Sequence, residues 1–253
     1  MRCSNASRRA VLVTGGSRGI GAETCLEFAR RGFDVAFTFR NKVERAEQVA
    51  VGVRDIGTRA LSVRADITRR DDVATLATGL SAWTSELRIL VLNASGGLER
   101  DLLAADPDYP MHINRDAQVL VLDCISPLLS PPATVAHVTS HWAHLYGRVT
   151  QLPQYEPVAR TKHAGEAALR DRQVDLARRG VRLLVVTGAL VEGTITARLL
   201  DRAAGGLAEM AETEGSTVTI PEVARAIVDA TTDITLRSGH TVVVGGTLDS
   251  LLP

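Results

Sequence analysis

The chain has 253 residues, 45% of them hydrophobic, and its 29 acidic side chains balance 29 basic ones. This length suits one α/β domain with an ample core, and the charge balance leaves no net field to draw nucleic acid or an anionic membrane surface. Lys42 and Lys162 are the only lysines, and every other basic residue is an arginine.

The first nine residues carry charge but no apolar stretch, so no signal peptide is expected. No apolar run approaches the ~20 residues of a membrane helix. Cys3, Cys25 and Cys124 are odd in number and show no metal or redox spacing. A soluble, reduced, cytoplasmic protein is the expectation.

Short apolar runs then alternate with longer amphipathic stretches, the pattern of βαβ units on a parallel sheet. The series opens with strand Ala10–Thr14, helix Gly19–Arg31, strand Asp34–Phe39, helix Val43–Ile56 and strand Ala60–Val63. It continues with helix Arg70–Ser85, strand Ile89–Asn93, helix Ile113–Leu128 and strand Thr134–Thr139. Helix Val158–Arg179, strand Val181–Thr187, helix Pro221–Thr231 and strand Thr241–Val244 close it. Gly32, Gly57 and Gly180 each stand where a helix needs a left-handed cap residue. The prediction is one doubly wound, Rossmann-like α/β domain over 1–253 with about seven parallel strands. Residues 192–216 break the alternation around Gly205-Gly206. They lie where ligands bind in such sheets, so a helical lid over a substrate is expected there.

The first strand runs into Thr14-Gly15-Gly16-Ser17-Arg18-Gly19-Ile20-Gly21. Glycines at this spacing allow a tight turn, close backbone approach to a pyrophosphate and close packing of helix on strand. The next helix offers its free N–H groups to the phosphates. Position after a strand and before a helix is the context that gives such a motif meaning.

The Thr-Gly-x-x-x-Gly-Ile-Gly spacing resembles the short-chain dehydrogenase/reductase family, and further matches follow in order along the chain. Asp66-Ile67 resembles the family's adenine-contacting pair, and Val91-Leu92-Asn93-Ala94 its turn after the fourth strand. Asn114 and Ser140 stand where the family keeps an active-site asparagine and serine. Thr161-Lys162 resembles the end of its Tyr-x-x-x-Lys motif, Thr187-Gly188 its Pro-Gly, and Val242–Gly246 its closing strand. The resemblance implies a nicotinamide cofactor held by Gly15, Ser17, Arg18, Gly19, Ile20, Gly21, Arg40, Asn41, Asp66, Ile67, Asn93, Ala94, Ser95, Lys162, Gly188 and Thr194. It implies catalytic roles for Ser140, Lys162 and Asn114, with Ser95 either filler or a hydroxyl near the nicotinamide. It also implies a homodimer or homotetramer paired through the long helices. The second strand ends Phe39-Arg40-Asn41-Lys42, with no acid to bind ribose hydroxyls. Arg40 and Arg18 offer planar forks to a 2′-phosphate, so NADPH is expected over NADH.

One position departs from the family. Aligned on Lys162, the tyrosine position holds Val158, which has no proton to give. Tyr155 stands seven residues before Lys162, a separation of about 10 Å along a helix against about 6 Å for four residues. Pro157 at the first turn places Tyr155 in the preceding loop. Val158, Ser95-Gly96 and the Arg/Ala-rich composition resemble the atypical ketoreductases of bacterial aromatic-polyketide pathways. That resemblance implies NADPH-dependent reduction of a polycyclic, angucyclinone-like ketone in antibiotic biosynthesis, with the substrate supplying the proton. A relocated tyrosine (Tyr155 or Tyr146) stays open, and so does a non-catalytic NADP(H)-binding module. His137, His141 and His144 have no acid or thiol beside them in sequence, so a structural or lining role is expected and no metal. His163 is expected to face away from the cofactor.

Overall fold

In this computed structural model residues 9–194, 197 and 217–252 are described. The strands are β1 (Ala10–Val13), β2 (Asp34–Phe39), β3 (Ala60–Arg64), β4 (Leu87–Leu92), β5 (Leu129–Ser140), β6 (Val181–Gly188) and β7 (Thr241–Val244). All seven lie in one parallel sheet of order β3-β2-β1-β4-β5-β6-β7. The strand order reverses between β1 and β4, and that switch point opens a crevice at their carboxyl ends.

The helices, in chain order, are α1 (Gly19–Arg30), α2 (Val43–Asp55), α3 (Arg70–Trp83), α4 (Arg100–Ala105) and α5 (Tyr109–Met111). There follow α6 (Ala117–Ile125), α7 (His141–His144), α8 (Glu156–Arg170), α9 (Gln173–Arg178) and α10 (Ile220–Thr232). Successive strand residues point to opposite faces and are apolar on both, as a sheet covered on both sides requires. Val11, Val13, Val35 and Phe37 pack with Phe28 of α1 and Ile227 of α10. Leu12, Leu90 and Leu92 pack on the other face with Leu76 of α3 and Leu122 of α6. Thr219 and Glu222 form a reciprocal capping box that starts α10 where Pro221 fits the first turn. Among the described residues no helix is long and apolar enough to cross a membrane.

Several boundaries differ from the sequence reading. β5 begins at Leu129 rather than Thr134, because Leu87 pairs with Leu129 and Ile89 with Thr134, leaving an irregular stretch between. The predicted helix Ile113–Leu128 is a composite. It starts at Tyr109, passes through a π-helical turn at His112–Asp116, and ends in a 3₁₀ turn at Ser126–Leu128. The predicted helix Val158–Arg179 starts earlier, at Glu156, and breaks after Arg170 into α8 and α9. At the break Arg172 folds back and its Nη1 donates to the Ala168 carbonyl at 2.9 Å, filling an acceptor the helix has left unpaired. α4 has no buried residue and therefore no apolar period to reveal it. Of the predicted lid, only Glu192–Thr194 and Ala197 are described, so its expected closure falls outside the described residues.

Candidate active site

The glycine loop is built for close approach. Gly15 has φ 70°, a conformation open to glycine at little cost. A Cβ on Gly21 would collide with the Gly15 carbonyl and with the Asn93 amide. Thr14 ties this loop to the turn after β4: its Oγ1 accepts from the N–H groups of Asn93 and Ala94 at 3.0 and 3.1 Å. Asn93 Nδ2 donates back to the Thr14 carbonyl at 3.0 Å. The N-terminus of α1 thus faces a rigid glycine cradle that side chains would fill, and that donor set fits a pyrophosphate.

The cradle opens into a cavity of about 590 Å³ along the carboxyl ends of the strands. Every residue assigned to the cofactor from the sequence, from Gly15 to Thr194, lines it. At the end near β2 the wall is cationic, with Arg18, Arg40, Lys42 and Arg45. Burial lowers the Arg18 pKa, and the Glu99 charge works against that. Asp66, the acid nearest β3 in this wall, is committed to its own turn, accepting from Thr68 N–H and Oγ1 at 3.1 and 2.7 Å. The end of β2 offers no carboxylate, and the cationic wall fits a phosphate on the adenosine ribose.

At the other end lie the groups that carry chemistry. Ser140 closes β5, and its Oγ caps α7 by accepting from Ala143 N–H at 3.3 Å. The cap fixes the serine rotamer. Its Oγ also meets Tyr155 Oη at 2.9 Å, a contact in which either hydroxyl can donate. Tyr155 is the N-cap residue of α8, buried at 4% exposure, and lines the cavity with Ser140, Val158 and Lys162. Of the two relocated tyrosines left open, Tyr155 is thus the one at the cavity wall, and it stands just ahead of α8 as Pro157 led one to expect. Seven residues span 700° of helical rotation, only ~20° short of two full turns, so Tyr155 and Lys162 share a face of α8. Tyr146, the other alternative, is turned away and donates to Glu156 at 2.6 Å. Lys162 reaches the cavity wall yet is surrounded by protein, and burial pulls its pKa down to about 8.

Ser95 lines the cavity and is exposed in it. Asn114, assigned to catalysis from the sequence, does not line the cavity. It is buried, donates from Nδ2 to the Gly96 carbonyl at 2.9 Å and to Thr161 Oγ1 at 3.0 Å, and accepts from Gly96 N–H at 3.2 Å. It braces the turn after β4 against α8.

The histidines stand behind the site rather than in it. His141 joins Thr187 Oγ1 at 3.0 Å and the Gly245 carbonyl at 2.8 Å, stitching β5 to β6 and to the end of β7. His144 lies 2.8 Å from the carboxylate of Glu166, which stands 22 residues further along the chain. Burial alone would raise the Glu166 pKa, but His144 and Arg170 outweigh it and hold it low. His137 is buried with both ring nitrogens unpaired among the described residues, and burial, then the Lys162 charge, holds its pKa at about 4. His163 contacts the Ala143 carbonyl at 3.0 Å, outside the cavity lining. No group of three or more His, Cys, Asp or Glu side chains able to hold a metal occurs among the described residues.

A glycine cradle, a cofactor-sized cavity at the switch point and a Ser–Tyr–Lys wall define a dinucleotide-dependent oxidoreductase site. The short chain dehydrogenase family profile matches residues 9–204, and the chain belongs to that family. It is 29% identical over 191 residues to hydroxynaphthalene reductase arp2 of Aspergillus fumigatus, spanning 74% of this chain and 67% of that one. Among solved structures it resembles LugOII, described as a promiscuous reductase catalysing keto-reduction at C1 during lugdunomycin biosynthesis. That match has a TM-score of 0.80 and 25% identity, covering 97% of this chain and 100% of that one. The angucycline C-6 ketoreductase LanV, solved with bound NADP, superimposes with a TM-score of 0.79 at 23% identity over 95% of both chains.

Proposed function

We propose that the protein is an NADPH-dependent ketoreductase that acts on a polycyclic aromatic ketone. The observation that carries this reading is the 2.9 Å contact between Ser140 Oγ and Tyr155 Oη on a cavity wall shared with Lys162. NADPH supplies the hydride. Tyr155 then gives its proton to the developing alkoxide as general acid, and Ser140 hydrogen-bonds the carbonyl oxygen as charge builds on it. The Lys162 cation, short of solvent, favours the ionised phenolate that Tyr155 leaves behind. On this reading the substrate need not supply its own proton, because Tyr155, three residues before Val158 and capping α8, takes the role of the tyrosine absent from the family position. Apolar residues Trp142, Val158 and Leu190 cluster with Tyr155 beside this wall and suit a flat ring system. The named activities of LugOII, LanV and the hydroxynaphthalene reductase support the substrate class. Incubating the protein with NADPH and a series of polycyclic aromatic ketones tests the reading. Loss of NADPH absorbance matched by alcohol formation is expected. NADPH binding without turnover of any of them would instead support the non-catalytic alternative.

Cofactor choice has its own test. NADPH is expected to bind at least about tenfold more tightly than NADH, the worth of one charge-assisted contact to Arg40 or Arg18. Arg40→Asp removes one such contact and repels the phosphate, a loss of roughly 1.5–3 kcal/mol, so the preference should largely vanish. Fluorescence titration of both cofactors measures it. Equal affinities in the unsubstituted protein sink the assignment.

A further inference from the structure

The segment between β4 and α6 reaches across the cavity to the arginines of the opposite bank. Arg40, at the end of β2, donates from Nη1 to Tyr109 Oη at 2.7 Å, a bond between residues 69 apart in sequence. The guanidinium carbon also lies 5.8 Å from the centroid of the Tyr109 ring. Tyr109 is itself fixed: it is 9% exposed, opens α5 with Pro110 behind it, and packs on the backbone of Gly96. A Cβ on Gly96 would stand 3.2 Å from the ring and 3.3 Å from the hydroxyl, so the glycine makes room for this phenol. Both residues line the cavity.

An arginine on a surface loop carries about 2 kcal/mol of rotamer entropy that must be lost when it grips a ligand. Here one of its five N–H groups is already anchored, and the remaining edge of the fork is free to meet an oxyanion. We propose that Tyr109 is a positioning residue for Arg40, holding the guanidinium ready for the phosphate that distinguishes NADPH from NADH. The inference rests on the assignment of that phosphate to Arg40 in the proposed function. Tyr109 accepts from Arg40 as a neutral phenol, because burial, with Glu99 and Asp66 nearby, raises its pKa despite the opposing pull of Arg40. The phenol therefore stays un-ionised at neutral pH and does not compete with the phosphate for the arginine's charge.

Tyr109→Phe keeps the ring and its stacking and removes only the acceptor. In fluorescence titrations it is expected to weaken NADPH about threefold to tenfold, the range of a single hydrogen bond, and to leave NADH unchanged. In an Arg40→Ala background the same substitution should change neither cofactor's affinity. An unchanged melting temperature shows that the fold is intact. Equal NADPH affinity in Tyr109→Phe and the unsubstituted protein overturns the proposal. So does a loss shared by NADH, a loss that persists without Arg40, or a tighter NADPH complex. If the unsubstituted protein itself shows no preference for NADPH, the parent assignment has failed and this inference goes with it.

Discussion

Tyr155→Phe is expected to cut ketone reduction by a factor of ~10²–10⁴, the range for losing a positioned general acid. The phenyl ring still fills the wall beside Val158 and Trp142, so packing is preserved and NADPH affinity should be unchanged. The loss should fall on kcat more than on KM, because the hydroxyl's proton is used in the transition state. Stopped-flow measurement of NADPH oxidation at saturating ketone gives the comparison. A variant that keeps activity within a factor of about two shows that the proton comes from the substrate or from water. Tyr146→Phe serves as the control, since its hydroxyl is bound to Glu156 and does not line the cavity.

His137→Leu is expected to flatten the acid side of the stability profile. The His137 imidazole is held at about 4 in the fold, against 6.5 for an ordinary histidine. Above pH 6.5 the ring is neutral whether the chain is folded or not, and it contributes nothing to pH dependence. As pH falls from 6.5 towards 4 the unfolded chain takes up a proton that the folded chain refuses, so stability drops. Over that window the loss reaches about 3 kcal/mol. Leucine fills a similar volume without a titrating group, and it removes two buried polar atoms that have no partner among the described residues. Urea midpoints at pH 7.5 and 4.5 measure the difference. Equal acid losses in the two proteins place the sensitivity elsewhere.

The alternation of strands and helices was legible because a parallel sheet buries both faces of its strands, which leaves runs such as Val11–Val13 and Leu90–Leu92 unbroken by polar residues. The cofactor cradle was legible for a related reason. Backbone geometry there admits only glycine at positions such as Gly21, so composition records shape directly. The reaction end was less transparent. Distance along α8 argued against Tyr155, but rotation about the helix axis, together with the reach of a phenol, brings it to Ser140. The seven-residue spacing held that information, and the lack of the usual four-residue spacing concealed it. Tyr109 left no local signal at all, because its partner Arg40 is contributed by a different βα unit. The pairing of His144 with Glu166 was hidden in the same way: the two residues sit on separate helices brought together only by the fold.

The scarcity of lysine acquires a practical meaning once both copies are located. Lys42 and Lys162 line the same cavity, one at the mouth beside Arg40 and the other on the wall with Tyr155. Every lysine of the chain therefore lines that one cleft. Lysine-specific isotope labelling would yield two ε resonances, one reporter at each end of the cavity. The Lys162 resonance should move on titration near pH 8, because burial disfavours its charge. Amine-directed acylation, elsewhere a scattershot modification, becomes on this chain a footprint of cofactor occupancy.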